Sequence, residues 1–266
     1  MNRALADNSV AARFSAAAGS YEDQAQIQRL VADRLLAGVR ACDRFERILE
    51  IGCGTGTLTR GLCRRFPGAT IEAVDIASAM IEQAKKRLGD EERVRWHAID
   101  ARHFCPVDTY PLIISSSALH WMRPLPETLR SLTRLLEPGG GFHAALMVDG
   151  IFPELEAARR QAAPAKPSRI RLPEVSEVLG AFAAAGLKVA RSFEEHLPAC
   201  YESAAAFLKS LNAQGVTGAS AGARTLLNRS ELARLVEEYD RRFASPSGGV
   251  VATYRVLYVR AGKELK

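Results

Sequence analysis

The chain has 266 residues, with 36 Lys and Arg against 30 Asp and Glu, and a net charge of +6. That length fits one large α/β domain or two small ones, and 47% hydrophobic with 25% charged residues is an ordinary globular balance. No run approaches the roughly 18 apolar residues a spanning helix needs, residues 1–20 lack the apolar stretch of a secretory leader, and the five cysteines (Cys42, Cys53, Cys63, Cys105, Cys200) form no C-x-x-C pair. The expectation is a reduced, cytoplasmic protein away from the membrane.

The charge is uneven. Residues 1–150 carry 19 basic and 18 acidic side chains, whereas 151–266 carry 17 and 12, a local excess of +5. Such an excess can meet nucleic acid, an anionic membrane or an acidic protein. It can equally reflect an Arg-rich genome, since 29 of the 36 basic residues are arginine. They form no dense run and do not interleave with aromatics as an RNA-binding strip would.

In chain order, residues 9–39 have a helical pattern with Phe14, Ile27, Leu30, Val31 and Leu35 as apolar positions. From 47 to 148, short β-branched runs alternate with helical stretches, the pattern of a parallel sheet with crossover helices. Strands are expected at 47–51, 70–74, 94–99, 112–115 and 142–148, and helices at 57–66, 78–88 (with Ser78 as N-cap) and 125–136. Beyond this unit come helices at 151–161 and 173–185, a strand at 187–196, helices at 203–211 and 230–243, and a last strand at 250–259. One domain over 1–266 is expected: a helical cap at 1–40, a cofactor-binding core at 45–150, and helical insertions at 151–170 and 200–245 forming a lid.

The first strand runs into Glu50-x-Gly52-x-Gly54-x-Gly56, and a helix opens directly after it. Glycines there let backbone approach a ligand and accept positive φ. Asp75 closes the next strand about 20 residues on, where a ribose diol would need acceptors. Asp100 follows the strand after that, so both carboxylates lie along the C-terminal sheet edge, where doubly wound folds bind ligands. The residue three after Gly54 is Thr57 rather than glycine, against a dinucleotide fingerprint, and no lysine completes a P-loop.

These motifs resemble the class I S-adenosylmethionine-dependent methyltransferases. Leu49-Glu50-Ile51-Gly52-Cys53-Gly54-Thr55-Gly56 resembles their first motif, and Leu135-Leu136-Glu137-Pro138-Gly139-Gly140 their turn before strand five. The resemblance implies a Rossmann-like α/β fold: a seven-stranded, mostly parallel sheet with an antiparallel last strand. It implies S-adenosylmethionine as cofactor, with Asp75 as the ribose acid, Ile76 and Met80 flanking the adenine, and Asp100-Ala101 facing its amine.

A narrower resemblance lies outside the cofactor motifs. Arg13-Phe14-Ser15-Ala16-Ala17, Tyr21, Ala25 and Gln28 are similar to the opening of the malonyl-(acyl-carrier protein) O-methyltransferases of biotin synthesis. Ser115-Ser116-Ser117-Ala118-Leu119-His120-Trp121 is similar to that family's loop after strand four, with Ser116 for the usual Asn and His120 for the usual Gln. Phe207-Leu208-Lys209-Ser210-Leu211-Asn212, Leu227-Asn228-Arg229-Ser230-Glu231-Leu232 and Thr253-Tyr254 match its lid and final strand. The resemblance implies methylation of a malonyl thioester on acyl-carrier protein or coenzyme A. A monomer is expected, with no nucleic-acid or membrane partner, and His97, His103, His143 and His196 lack metal-ligand spacing. Cofactor contacts are expected from Tyr21, Gln28, Glu50, Gly52, Cys53 (as a spacer in the loop), Gly54, Asp75, Ile76, Met80, Asp100, Ala101, Ser116 and His120.

For the chemistry, Tyr21 is expected to close over the reacting sulfonium. Arg169 and Arg171 are the candidate anchors for a substrate carboxylate. Either arginine could equally be a solvated loop residue. Trp96 and Trp121 read as core. Two alternatives remain: O-methylation of a free small acid such as aconitate, and a non-catalytic cofactor-binding module. RNA methylation lacks support, since no Asn/Asp-Pro-Pro-aromatic tetrad follows strand four.

Overall fold

A computed structural model of the chain describes residues 3–40, 43–166, 171–214 and 226–265. The elements are α1 (Arg3–Ala17), α2 (Tyr21–Gln24), α3 (Gln26–Ala37), β1 (Arg47–Ile51), α4 (Thr57–Arg65), β2 (Thr70–Asp75), α5 (Ser78–Leu88), β3 (Val94–Ala98) and β4 (Tyr110–Ser116). There follow α6 (Leu125–Thr133), β5 (Leu136–Met147), α7 (Pro153–Ala162), α8 (Val175–Ala184), β6 (Leu187–Tyr201), α9 (Ala204–Ala213), α10 (Arg229–Arg242) and β7 (Val250–Lys263).

The sheet has seven strands in the order β3-β2-β1-β4-β5-β7-β6. β1 to β5 pair in parallel, and β7 lies antiparallel to both β5 and β6, as expected of the class I methyltransferase fold. The order reverses at β1 and β4, so their C-terminal ends part and open a crevice. β1 reads Arg-Ile-Leu-Glu-Ile with four of five residues buried, because a central parallel strand is covered on both faces.

Several expected boundaries shift, each for a physical reason. The expected helix over 9–39 is three helices, broken at the turn Gly19–Ser20 and at Ala25. Ser78 does not cap α5: Ala77 is the N-cap, and its N–H is taken by Asp75 Oδ1 at 2.9 Å. α6 stops at Thr133 because Leu136 of β5 already pairs with Tyr110 of β4, with a bulge before Gly141 meets Leu112. β6 runs through Pro198 to Tyr201, since it is an edge strand where a missing N–H leaves no ladder bond unmade.

The C-terminal helices share the core of the sheet. Phe152, Phe207 and Tyr239 are buried in one cluster with Ile48 and Ile71, and Phe152 packs edge-on to Phe207 and Tyr254 at 5.1 and 4.6 Å between ring centres. At the other end, Glu22 of α2 is bound to the Thr55 hydroxyl, to Thr57 Oγ1 at 3.2 Å and to Arg87 at 2.6 Å. The N-terminal helices are thereby fastened to the glycine loop.

Candidate functional site

Two cavities meet at the sheet's C-terminal edge. The first is lined by Gly52, Gly54, Asp75, Ile76, Met80, Asp100, Ala101 and Ser116 from the sheet edge. Val10 and Phe14 of α1, with Tyr21, form its roof. Nine of the thirteen residues expected to hold a cofactor line this cleft, counting Tyr21.

Local geometry explains the glycine loop. Gly52 has φ +71°, and a Cβ there would lie 2.1 Å from Ala118 Cβ, so only glycine lets β1 pass the loop after β4. Gly54 has φ +52° with nothing within 4 Å of a Cβ position, leaving open space beside its backbone. Asp75 ties this turn down: its Oδ2 accepts from Gly54 N at 2.8 Å and its Oδ1 from Ala77 N at 2.9 Å. Burial raises the Asp75 pKa, against the pull of the N–H groups of Ala77, Gly54 and Ile76.

Glu50 is 1% exposed, and its Oε2 has no hydrogen-bond partner. Burial pushes its carboxyl up to about 8. Glu50 itself is not among the lining residues, but it stands two residues before Gly52, and an unpartnered carboxyl oxygen there suits a cationic ligand group, which would supply the missing partner. The open cradle at Gly54, the orphaned Glu50 and the apolar slot of Ile76, Met80, Ile99 and Met122 together fit an adenosyl compound with a charged amino-acid end.

Asp100 is paired within the chain. It lines the cleft, but Arg102 engages both of its oxygens, with Nε at 2.9 Å from Oδ1 and 3.0 Å from Oδ2, besides an Nη2 contact. Burial would raise its pKa, but the Arg102 hydrogen bonds outweigh this and hold it low. Its Oδ1 also caps the turn Ala101–His103 by accepting from Arg102 N at 2.9 Å. Cys53 turns away into the core, where burial pushes its thiol up, so its side chain is no part of the cleft wall.

The second, smaller cavity is lined by Gln28, His120, Met147, Ile151, Phe152, Leu172, Gln214 and Tyr254, and it shares Phe14, Tyr21, Ser117 and Trp121 with the first. Gln28 and His120, expected at the cofactor, line this cavity and not the first. His120 is 5% exposed, and burial first, then Arg123, lowers its pKa to about 3, so the imidazole is neutral. Phe14 stands edge-on to Tyr21 at 6.4 Å and to Trp121 at 6.0 Å, an aromatic partition between the cavities. Arg13 lies over the Trp121 ring, 5.7 Å from its centre.

The far wall is hydrogen-bonded. Gln214, 1% exposed, accepts from Gln28 Nε2 at 2.8 Å and donates to Gln24 O and Ser210 Oγ, each at 3.0 Å. Tyr254 and Tyr201 share a hydrogen bond of 2.7 Å between hydroxyls. Of the expected carboxylate anchors, Arg169 lies outside the described residues. Arg171 is exposed, with its carbonyl accepting from Arg123 Nη2 at 3.0 Å, and only its neighbour Leu172 reaches the cavity.

Sequence reasoning missed Glu22, Ser117, Trp121 as a wall residue, and Gln214. Glu22 was adjacent to a chosen residue, but its partners Thr55 and Thr57 lie 33 and 35 positions away. Ser117 lies next to Ser116 in the Ser115–Trp121 motif, and no local signal marks it as the one that lines both cavities.

The profile of a methyltransferase-domain family matches residues 49–142. The malonyl-(acyl-carrier protein) O-methyltransferase of Halorhodospira halophila is 34% identical over 254 residues, covering 93% of this chain and 85% of that protein. The biotin biosynthesis bifunctional protein BioCD of Bordetella avium is 37% identical over 257 residues, 96% of this chain; the chain spans 52% of that protein's length. Among solved structures, the N-methyltransferase NodS of Bradyrhizobium japonicum, in complex with S-adenosylhomocysteine, superposes with a TM-score of 0.53 at 14% identity, covering 93% of this chain and 98% of that one. That likeness is one of fold.

Proposed function

Because the chain belongs to the malonyl-(acyl-carrier protein) O-methyltransferase family, we propose that it transfers a methyl group from S-adenosylmethionine to the free carboxylate of a malonyl thioester on acyl-carrier protein, in biotin synthesis. The observation that carries this reading is the shared wall: a cofactor-shaped cleft and a smaller, mostly apolar cavity meet at Phe14, Tyr21, Ser117 and Trp121. Two reactants held on either side of that wall would face each other.

In the cleft, Asp75 would accept the ribose hydroxyls, Ile76, Met80 and Ala101 would flank the adenine, and Glu50 with Gly52 and Gly54 would hold the amino-acid end. When bound, the cofactor supplies a methyl group on a positively charged sulfur, an electrophile needing no further activation. Tyr21, on the wall common to both cavities, would turn its ring toward that charge.

A malonyl carboxylate, with a pKa of about 4, is ionised at neutral pH and needs no base. The neutral His120 suits a site where no proton is taken. The protein's remaining task is positioning, which can supply roughly 7–11 kcal/mol of the barrier. Residues 1–40 would serve as the cap and 151–170 with 200–245 as the lid over the 45–150 core. Arg171, next to Leu172 of the cavity wall, and Arg169 would draw the anionic substrate to the mouth, and the +5 excess of 151–266 would favour an acidic carrier.

Incubation with S-adenosylmethionine and malonyl-carrier protein, malonyl-coenzyme A or aconitate tests the reading by mass spectrometry. A gain of one methyl on the malonyl thioester is expected; methylation of aconitate alone would sink it. Replacing Arg169 and Arg171 together with Ala should slow turnover at unchanged cofactor affinity, and the Michaelis constant for malonyl-carrier protein should rise with salt.

A further inference from the structure

Three buried polar atoms without a hydrogen-bond partner belong to residues around the second cavity: Ser117 Oγ, His120 Nδ1 and Gln28 Oε1. Much of the remaining wall is apolar, with Met147, Ile151, Phe152 and Leu172 among it. Unpaired buried polar atoms are costly, so their grouping around one cavity marks where a polar ligand completes the bonding.

Their chemistry sorts them. Gln28 donates its Nε2 to Gln214 Oε1, and Gln214 spends its own N–H groups on Gln24 and Ser210. That chain fixes the Gln28 amide so that its oxygen is left over, an acceptor that repels a carboxylate. The Ser117 hydroxyl is a donor, and a neutral His120 ring carries one N–H.

Ser117 stands out among the three serines of its loop. Ser115 spends its hydroxyl on Ile51 O at 2.9 Å, and Ser116 lines only the first cleft. Ser117 lines both cavities and has φ +56°, a left-handed conformation uncommon for a residue with a Cβ. Its backbone is held there by its N–H donating to Ala145 O of β5 at 2.8 Å. Strain kept by surrounding structure is a mark of functional positions.

We infer that the Ser117 hydroxyl, with the His120 ring N–H beside it, receives one oxygen of the acceptor carboxylate and leaves the other facing the cofactor cleft. This rests on reading the second cavity as the acceptor site. Neutral donors suit the task. A bidentate arginine would engage both oxygens, whereas a hydroxyl orients one and leaves the second to attack.

The test is calorimetric titration of malonyl-pantetheine and of acetyl-pantetheine, which lacks the carboxylate, into the protein with S-adenosylhomocysteine present. The wild type should prefer the malonyl compound. Ser117→Ala and Ser117→Gly should each weaken it about 10- to 100-fold, as for a lost hydrogen bond to a charged group, and leave the acetyl compound within about twofold. Ser117→Asn, which tolerates the same φ and carries N–H donors, should recover part of the loss. His120→Phe should cost less, roughly 3- to 10-fold. Equal losses for both thioesters, wild-type affinity in Ser117→Gly, or no wild-type preference for malonyl would each overturn the inference. Methylation of malonyl-carrier protein by the wild type, assayed alongside, separates this failure from that of the functional reading.

Discussion

Along the cofactor cleft, Gly52, Gly54, Asp75, Asp100 and Ser116 stand at or just beyond the ends of β1, β2, β3 and β4. The second cavity instead draws Gln28, His120, Phe152, Leu172, Gln214 and Tyr254 from stretches scattered along the chain. The difference teaches where each site's precision resides. The cleft is held by backbone: glycine φ angles and main-chain N–H groups on a carboxylate. The second cavity is held by side chains that reach each other only after the helices have packed.

If that contrast is right, the largest effect belongs to the backbone. Gly52→Ala should cost about 3–5 kcal/mol, combining left-handed strain with overpacking against Ala118, whose Cβ would be 2.1 Å away. Urea denaturation measures it, and adding Ala118→Gly should return the steric share but not the strain. Full recovery in the double variant would show that the turn itself carries no penalty.

Asp75→Asn comes next. An amide has one acceptor oxygen, so one of the N–H groups of Gly54 and Ala77 loses its partner. S-adenosylhomocysteine should bind about 10- to 100-fold more weakly, about 1–3 kcal/mol, by calorimetry. On the other side, Gln214→Leu removes the acceptor of Gln28 Nε2 and the donors to Gln24 and Ser210. It should destabilise the protein by about 1–3 kcal/mol and raise the Michaelis constant for the malonyl thioester, with cofactor affinity kept. Equal damage to both ligands would dissolve the distinction between the two regions.

Titration effects are spread over several pH units, about 1.4 kcal/mol for each, with opposite signs for the two regions. Glu50, two residues before Gly52 of the cleft and pushed up to about 8 by burial, holds its proton at neutral pH. Binding a cationic ammonium against it should release up to one proton, visible as buffer-dependent binding enthalpy, and Glu50→Gln should release none. Without ligand, the folded chain holds that proton longer than the unfolded one, so Glu50 costs stability as pH rises from its ordinary 4.5 to about 8. His120 by the second cavity and His143 in the sheet are lowered to about 3 and 4. Below about 6.5 the unfolded chain takes protons these rings refuse, so each costs about 1.4 kcal/mol per pH unit as the medium is acidified. His120→Gln should remove its share from the acid limb of the stability profile while leaving the Glu50 limb unchanged.

Much of the cleft was legible because its signals are local. A glycine needing positive φ, an acid closing a strand, and a small residue where loops cross are each written within a few positions of β1, β2 and β3. Even so, the pairing of Asp100 with Arg102 was not read, although they are two residues apart. Spacing shows which groups are near, not which rotamer captures them. That Gln28 and His120 line the second cavity rather than the first is equally non-local: their motifs mark a shared neighbourhood, and the aromatic partition of Phe14, Tyr21 and Trp121 that divides it exists only in three dimensions.

Length, charge and motif spacing by themselves determined an α/β sheet with a ligand at the C-terminal edge of β1, because strand period and glycine chemistry act over short distances. Tertiary structure alone decided that α1 roofs the cleft, that Glu22 fastens the N-terminal helices to the glycine loop, and that Ser117 stands between two cavities. Those outcomes depend on contacts between residues tens to more than a hundred positions apart. Such contacts are selected by packing the whole core at once, and no local pattern carries them.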